Sequence, residues 1–120
     1  MADSFFELEV WKQSYNLILE IYEISSSFPI SEQYGLTSQL RRSANSIAAN
    51  IAESQGRYTY ADRMRVLYIA RGEIFETRSH IKVALGLNFL SKEVAKKLES
   101  KYEELSKGIN GLIRHHAQKS

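Results

Sequence analysis

Apolar and polar positions follow the period of a helix along most of the chain, most clearly between Leu36 and Arg57. Leu36, Leu40, Ala44, Ile47 and Ile51 recur every three or four residues and make one apolar stripe. Beside it Gln39, Ser43, Ser46, Asn50 and Glu53 recur at steps of four and three, a second stripe made wholly of hydrogen-bonding groups. A polar ladder on the edge of a core face fixes register and partner choice between helices rather than doing chemistry, and that is the role expected here.

The same pattern predicts four helices, over 7–25, 37–55, 60–86 and 92–114. The first carries two apolar stripes, Leu8, Trp11, Tyr15, Ile18, Tyr22 and Val10, Leu17, Ile21, Ile24. A face that wide belongs either to a helix deep in a monomer core or to one that also meets a second subunit, which makes Trp11 and Tyr15 candidate interface residues. Pro29 and the serines before it end this helix, and Glu32 to Gly35 reads as a turn leading into the second. Thr59 with Asp62 three residues on opens the third, whose seam Leu67, Ala70, Ile74, Thr77, Ile81, Ala84 alternates large and small. Gly86 and Asn88 close it. Ser91 caps the fourth, with the seam Val94, Leu98, Tyr102, Leu105, Ile109, Leu112, and the closing HHAQKS is expected to fray. Long helices with short connections predict an all-α, antiparallel up-down-up-down bundle, one domain over 1–120.

Composition narrows this further. A single proline and six glycines in 120 residues suit long helices, and the absence of cysteine excludes disulfides and thiolate metal sites. The acidic start MADSFFELEVW lacks the pattern of a signal peptide, and no apolar run reaches the roughly 20 residues of a membrane span. A soluble cytoplasmic protein with no membrane partner is expected. The net charge of +2 matters less than its distribution. Phe5 to Ser25 balances at −3, whereas Thr37 to Arg71 holds six arginines, no lysine and two acids, a balance of +4. Arginine grips phosphate and carboxylate through two parallel hydrogen bonds, so this bias points to recognition.

Catalytic chemistry finds no footing. A di-metal centre in a bundle needs two Glu-x-x-His pairs, but Glu76 and His80 are four apart and no second pair exists. No phosphate loop, nucleophile elbow or triad is present, so no catalytic residue, metal or cofactor is expected and the chain does not read as an enzyme. The third helix sets Met64, Tyr68, Arg71, Phe75, Arg78 and Lys82 along one edge and Glu73, Glu76 and His80 along the other. Cations among rings suit a nucleic-acid surface, while opposite charges on two edges suit a head-to-tail ring of subunits. An ordinary solvated helix face has the same composition.

The runs FPISEQYGLTSQLRRSANSIAANIAESQGR and YIARGEIFETRSHIKVALGLNFL resemble the small bacterial family typified by the protein encoded in intervening sequences of 23S ribosomal RNA genes. That family includes the accessory variability determinant of diversity-generating retroelements. The likeness extends from LEVWKQSYNL to near Ile113, with Ser54 and Gly72-Glu73 standing where the family usually has glycine and Gly-Ser. The resemblance implies a four-helix bundle assembled as a barrel-like homopentamer. In the retroelement branch it implies a basic surface that binds nucleic acid and engages a reverse transcriptase. The expected function is non-enzymatic binding of RNA or DNA, with phosphate contacts from Arg41, Arg42, Arg57, Arg63, Arg65, Arg71, Arg78 and Lys82. The alternative is a homo-oligomeric scaffold or protein-interaction module.

Overall fold

The computed structural model describes residues 5–120. Residues 1–4, the start of the stretch read above for a signal peptide, lie outside the described residues. After a 3₁₀ turn at Phe5–Glu7, α1 spans Glu9–Ser25, α2 Leu36–Gln55, α3 Tyr60–Gly86 and α4 Lys92–Lys119, with a second 3₁₀ turn at Ile30–Glu32.

Each boundary has a chemical cause. Ser26 and Ser27 donate their hydroxyls back to Glu23 O at 2.6 Å and Ile24 O at 2.9 Å, and Pro29 then carries the chain out of α1. Glu32 caps α2, its Oε1 accepting from Leu36 N–H at 3.1 Å. Thr59 Oγ1 accepts from Asp62 N–H and Ser91 Oγ from Val94 N–H, both at 3.1 Å, so the two caps read in the sequence form. Asn88 stops α3 in the left-handed region, φ 62°, a conformation that asparagine tolerates better than most residues.

The four helices pack as a closed square: each meets its sequence neighbour and α1 closes on α4, while α1–α3 and α2–α4 stand diagonally. The α2–α3 pair is the most intimate, because Ala44, Ala48, Ala70 and Ser43 keep its buried seam small. Ser43 and Thr77, both fully buried, join there through a hydroxyl–hydroxyl bond of 2.8 Å. Leu40, Ile47, Ile51, Leu67, Ile74, Leu98, Leu105 and Ile109 fill the centre, and Phe28 closes one end against Phe89 at 5.5 Å. Among the described residues no helix is long and apolar enough to cross a membrane.

Two expectations are corrected. The stripe Val10, Leu17, Ile21, extended by Ser14 and Ser25, is the core face of α1. The stripe with Trp11, Tyr15 and Tyr22 is only partly covered by the bundle: Leu8, Trp11 and Ile18 pack against the core, while Tyr15 is 44% and Tyr22 42% exposed, so α1 is not deep inside a monomer core. The fourth helix also runs past residue 114 to Lys119 rather than fraying, because His116 turns inward to 3% exposure beneath the Tyr60 ring, centroids 5.5 Å apart.

The α1–α4 pair touches sparsely but approaches closely at Gly108, where an added Cβ would stand 2.7 Å from Val10 Cγ1. Val10 is β-branched and cannot swing its methyl away cheaply. Gly108→Ala is therefore expected to lose about 1–2 kcal/mol by urea midpoint, overpacking outweighing the gain in helix propensity. Gly72→Ala, with nothing within 4 Å, is the control and gains about 0.5–1 kcal/mol. Equal stabilities for the two variants would show that the close approach costs nothing.

Candidate nucleic-acid interface

The eight cations read from the sequence fall into two chemical groups. Four are occupied by carboxylates of this chain. Arg42 crosses to α3, where Nη2 pairs with Glu76 and Nη1 lies 3.5 Å from Glu73, while Nε donates to Gln39 Oε1 at 3.0 Å. Arg57 pairs with Glu53 and, at 3.4 Å, with Asp62, and Arg65 Nε takes the other Asp62 oxygen at 2.9 Å. Arg78 Nε donates to Glu99 Oε1 of α4 at 2.7 Å. The bonds to Glu53 and Glu99 raise the Arg57 and Arg78 pKa values above the usual range. Glu73 and Glu76 thus answer Arg42 within the chain, and the head-to-tail pairing in which they would face a neighbour's Arg71 and Arg78 loses its acids.

The other four keep their charge unanswered among the described residues. Arg41 Nε donates to Ser25 Oγ at 2.8 Å and Nη2 to Tyr22 O at 3.2 Å, with the guanidinium 4.5 Å over the Tyr22 ring. Arg63 Nε donates to Arg57 O at 2.9 Å, 5.4 Å over Tyr60. Arg71 Nη1 donates to Asn110 Oδ1 at 2.8 Å, 4.7 Å over Tyr68. Each makes only neutral hydrogen bonds and is steadied on a ring, an arrangement that holds a cation in place without neutralising it. Lys82 is exposed, on a groove between α3 and α4 that also collects Arg78, Lys92, Lys96, Glu99 and Glu103. These cations do not form one patch. Arg63, Arg71 and Lys82 follow α3, whereas Arg41 faces the opposite corner, between α1 and α2.

The polar ladder of α2 divides likewise. Among the described residues only Ser43 makes a rung to another helix. Asn50 Nδ2 donates to Ser46 O at 2.8 Å and Ser46 Oγ at 3.1 Å, and Gln39 and Glu53 serve Arg42 and Arg57. Within the chain the register role expected of five residues falls on Ser43 with Thr77. Ser54, in place of the family's glycine, is fully buried and returns its hydroxyl to Ile51 O at 2.6 Å. On α1, Trp11 and Tyr15 stack with centroids 5.3 Å apart. Sequence reading missed Tyr22, Ser25 and Asn110 as partners of arginine. Only the offset of Tyr22 from the core stripe hinted at them.

Two histidines are shifted. Burial first, then Arg63 and His115, lowers the His116 pKa below its ordinary 6.5. Burial and then Arg42 lower that of His80, outweighing Glu73, while His80 Nε2 lies 3.1 Å from Glu76. Both are held neutral in the fold and take a proton more readily once unfolded. The stability they contribute is intact above about pH 6.5 and is lost as pH falls below it toward the folded values. A melting series should show this acid loss, reduced in His116→Phe. An unchanged slope in that variant would remove His116 from the account. Glu76 and His80 are engaged with each other and Arg42, and among the described residues no group of three potential ligands gathers around a metal position.

The family described as "23S rRNA-intervening sequence protein" matches residues 6–111. A crystal structure of a protein with unknown function from the S23 ribosomal protein family of Bacteroides thetaiotaomicron superposes at TM-score 0.78 with 25% identity, covering 87% of this chain and 97% of that chain. No curated protein matches.

Proposed function

We propose that this chain, which belongs to the 23S rRNA-intervening sequence protein family, is a non-enzymatic homo-oligomeric protein that binds RNA or DNA through its unneutralised cations. One observation carries the reading: Arg41, Arg63 and Arg71 each rest on a tyrosine ring with no carboxylate beside them among the described residues. A guanidinium so placed presents free N–H groups to phosphate and pays little to be fixed there. Arg42, Arg57, Arg65 and Arg78 drop out as primary contacts, because phosphate would have to displace a carboxylate from each. The contacts are to backbone, so binding is largely indifferent to sequence. A ring of five copies, the assembly the family resemblance implies, repeats the cations and turns a weak site into an effective one.

The test is affinity for a structured RNA and for duplex DNA across a salt series, on protein of known native mass. Affinity falling steeply between about 50 and 200 mM salt supports the proposal. The competing scaffold reading is favoured by the four arginines already spent on acids of the chain. It stands if neither nucleic acid binds at low salt.

A further inference from the structure

The corner between the end of α1 and the start of α2 forms an open groove lined by Tyr22, Gln33, Tyr34, Arg41, Arg42 and Asn45, with Thr37 and Ser38 at its base. Among the described residues no acid lines it, whereas the α3–α4 groove carries Glu99 and Glu103 and the α1–α4 groove Glu20 and Glu104. Glu32, in the adjoining turn, is directed into the start of α2 by its bond to Leu36 N–H. The groove therefore keeps the full charge of Arg41, whose Nη1 makes no bond among the described residues.

Tyr34 is the unusual member. It is 89% exposed on a short turn, and among the described residues no ring, hydrogen bond or ion pair engages it. Asn45 spends its Nδ2 on Tyr22 OH at 3.0 Å and Arg41 O at 2.8 Å, which fixes the amide and leaves Oδ1 to accept. Gln33 adds a second side-chain amide to the lining. One groove thus holds an unneutralised guanidinium, a bare aromatic face and two amides that can meet a base edge.

We infer that this groove takes an unpaired nucleotide of a single strand, with a phosphate on Arg41 and the base stacked on Tyr34. The inference rests on the nucleic-acid reading above and narrows it to a ligand class. In a duplex each base face is covered by its neighbours, so a surface tyrosine finds nothing to stack on. In a single strand a base can turn out onto the ring. Base–ring stacking is sequence-tolerant, which fits a groove with few specific donors.

The experiment is fluorescence anisotropy with an end-labelled short oligouridine and a labelled blunt duplex annealed from two strands, on the full chain with Tyr34→Ala and Tyr34→Phe. Tyr34 makes no contact that folding needs, so both variants should keep native mass and helix content. The expected result for Tyr34→Ala is a loss of about 5- to 150-fold on the single strand, from the ~1–3 kcal/mol of one stacked base, with the blunt duplex little changed. Tyr34→Phe, which keeps the ring, should bind as the parent does. Parent-like binding of the single strand by Tyr34→Ala would overturn the inference and leave nucleic-acid binding standing. An absence of binding to both probes at low salt would overturn both.

Discussion

Replacing Arg41, Arg63 and Arg71 together by alanine is expected to weaken nucleic-acid binding by about 100-fold near physiological salt and to flatten the salt dependence by about two to three in log–log slope. The size follows from counting contacts. Each phosphate neutralised releases condensed counterion, and three lost contacts remove roughly 2.7 from the slope on duplex and about 2 on a single strand, provided that one nucleic acid spans copies of the chain, since Arg41 lies at the opposite corner from Arg63 and Arg71. The informative comparison is the quadruple variant of Arg42, Arg57, Arg65 and Arg78, which deletes more charge but only arginines already paired. It should keep affinity within a few-fold of the parent. Most of these pairs lie at the surface, where an ion pair contributes little to stability, so the quadruple variant should also fold. If the quadruple variant loses as much as the triple, affinity follows overall charge, and the distinction drawn between arginines with and without a carboxylate partner has no functional meaning. Native mass must be unchanged in both for the comparison to hold.

Much of the fold was legible because helical period and capping chemistry are local. The α3 seam from Leu67 to Ala84 is buried at all six positions, and Thr59 and Ser91 cap where their side chains suggested. What was illegible depends on which helices become neighbours. Arg42 reads in sequence like Arg41, yet a step of one residue turns the first toward Glu73 and Glu76 on α3 and the second toward Tyr22 and Ser25 on α1. No composition count could separate a neutralised guanidinium from an exposed one. The α4 tail misled for a related reason: HHAQKS is a chain terminus with no apolar period of its own, and only the position of Tyr60 across the bundle gives His116 something to pack on. The polar ladder shows the opposite failure. Its period was right, but four of its five members satisfy themselves within α2 or at its end, and period alone does not say which rung crosses.

The outer face of α1 carries the second large prediction. Tyr15→Lys with Leu19→Lys is expected to reduce the protein to its single-chain mass of 13.8 kDa while helix content is kept. Both side chains stand outside the core, 44% and 52% exposed, so the bundle itself loses little by their replacement. An interface covering them would lose about 1.5–3 kcal/mol for each apolar side chain, enough to weaken a contact by more than 100-fold. The diagonal helix α3 exposes Tyr68, Ile69, Phe75 and Val83, so the two uncovered apolar faces lie on different sides of the molecule. If these two faces meet between copies the contact is head to tail, which closes into a ring where the rotation permits and does not give a two-fold dimer. The segment that carries α1 is acidic and the edge of α3 keeps Arg71 and Lys82 unanswered among the described residues, so added lysines also turn attraction into repulsion. The readout is mass by light scattering, followed by the salt series on the same sample. A variant that keeps the parent's oligomeric mass would move the interface off α1, and a parent that is itself 13.8 kDa in solution would end the assembly proposal. If the variant is monomeric and its nucleic-acid affinity falls although every cation remains, binding depends on repetition of the site around the ring.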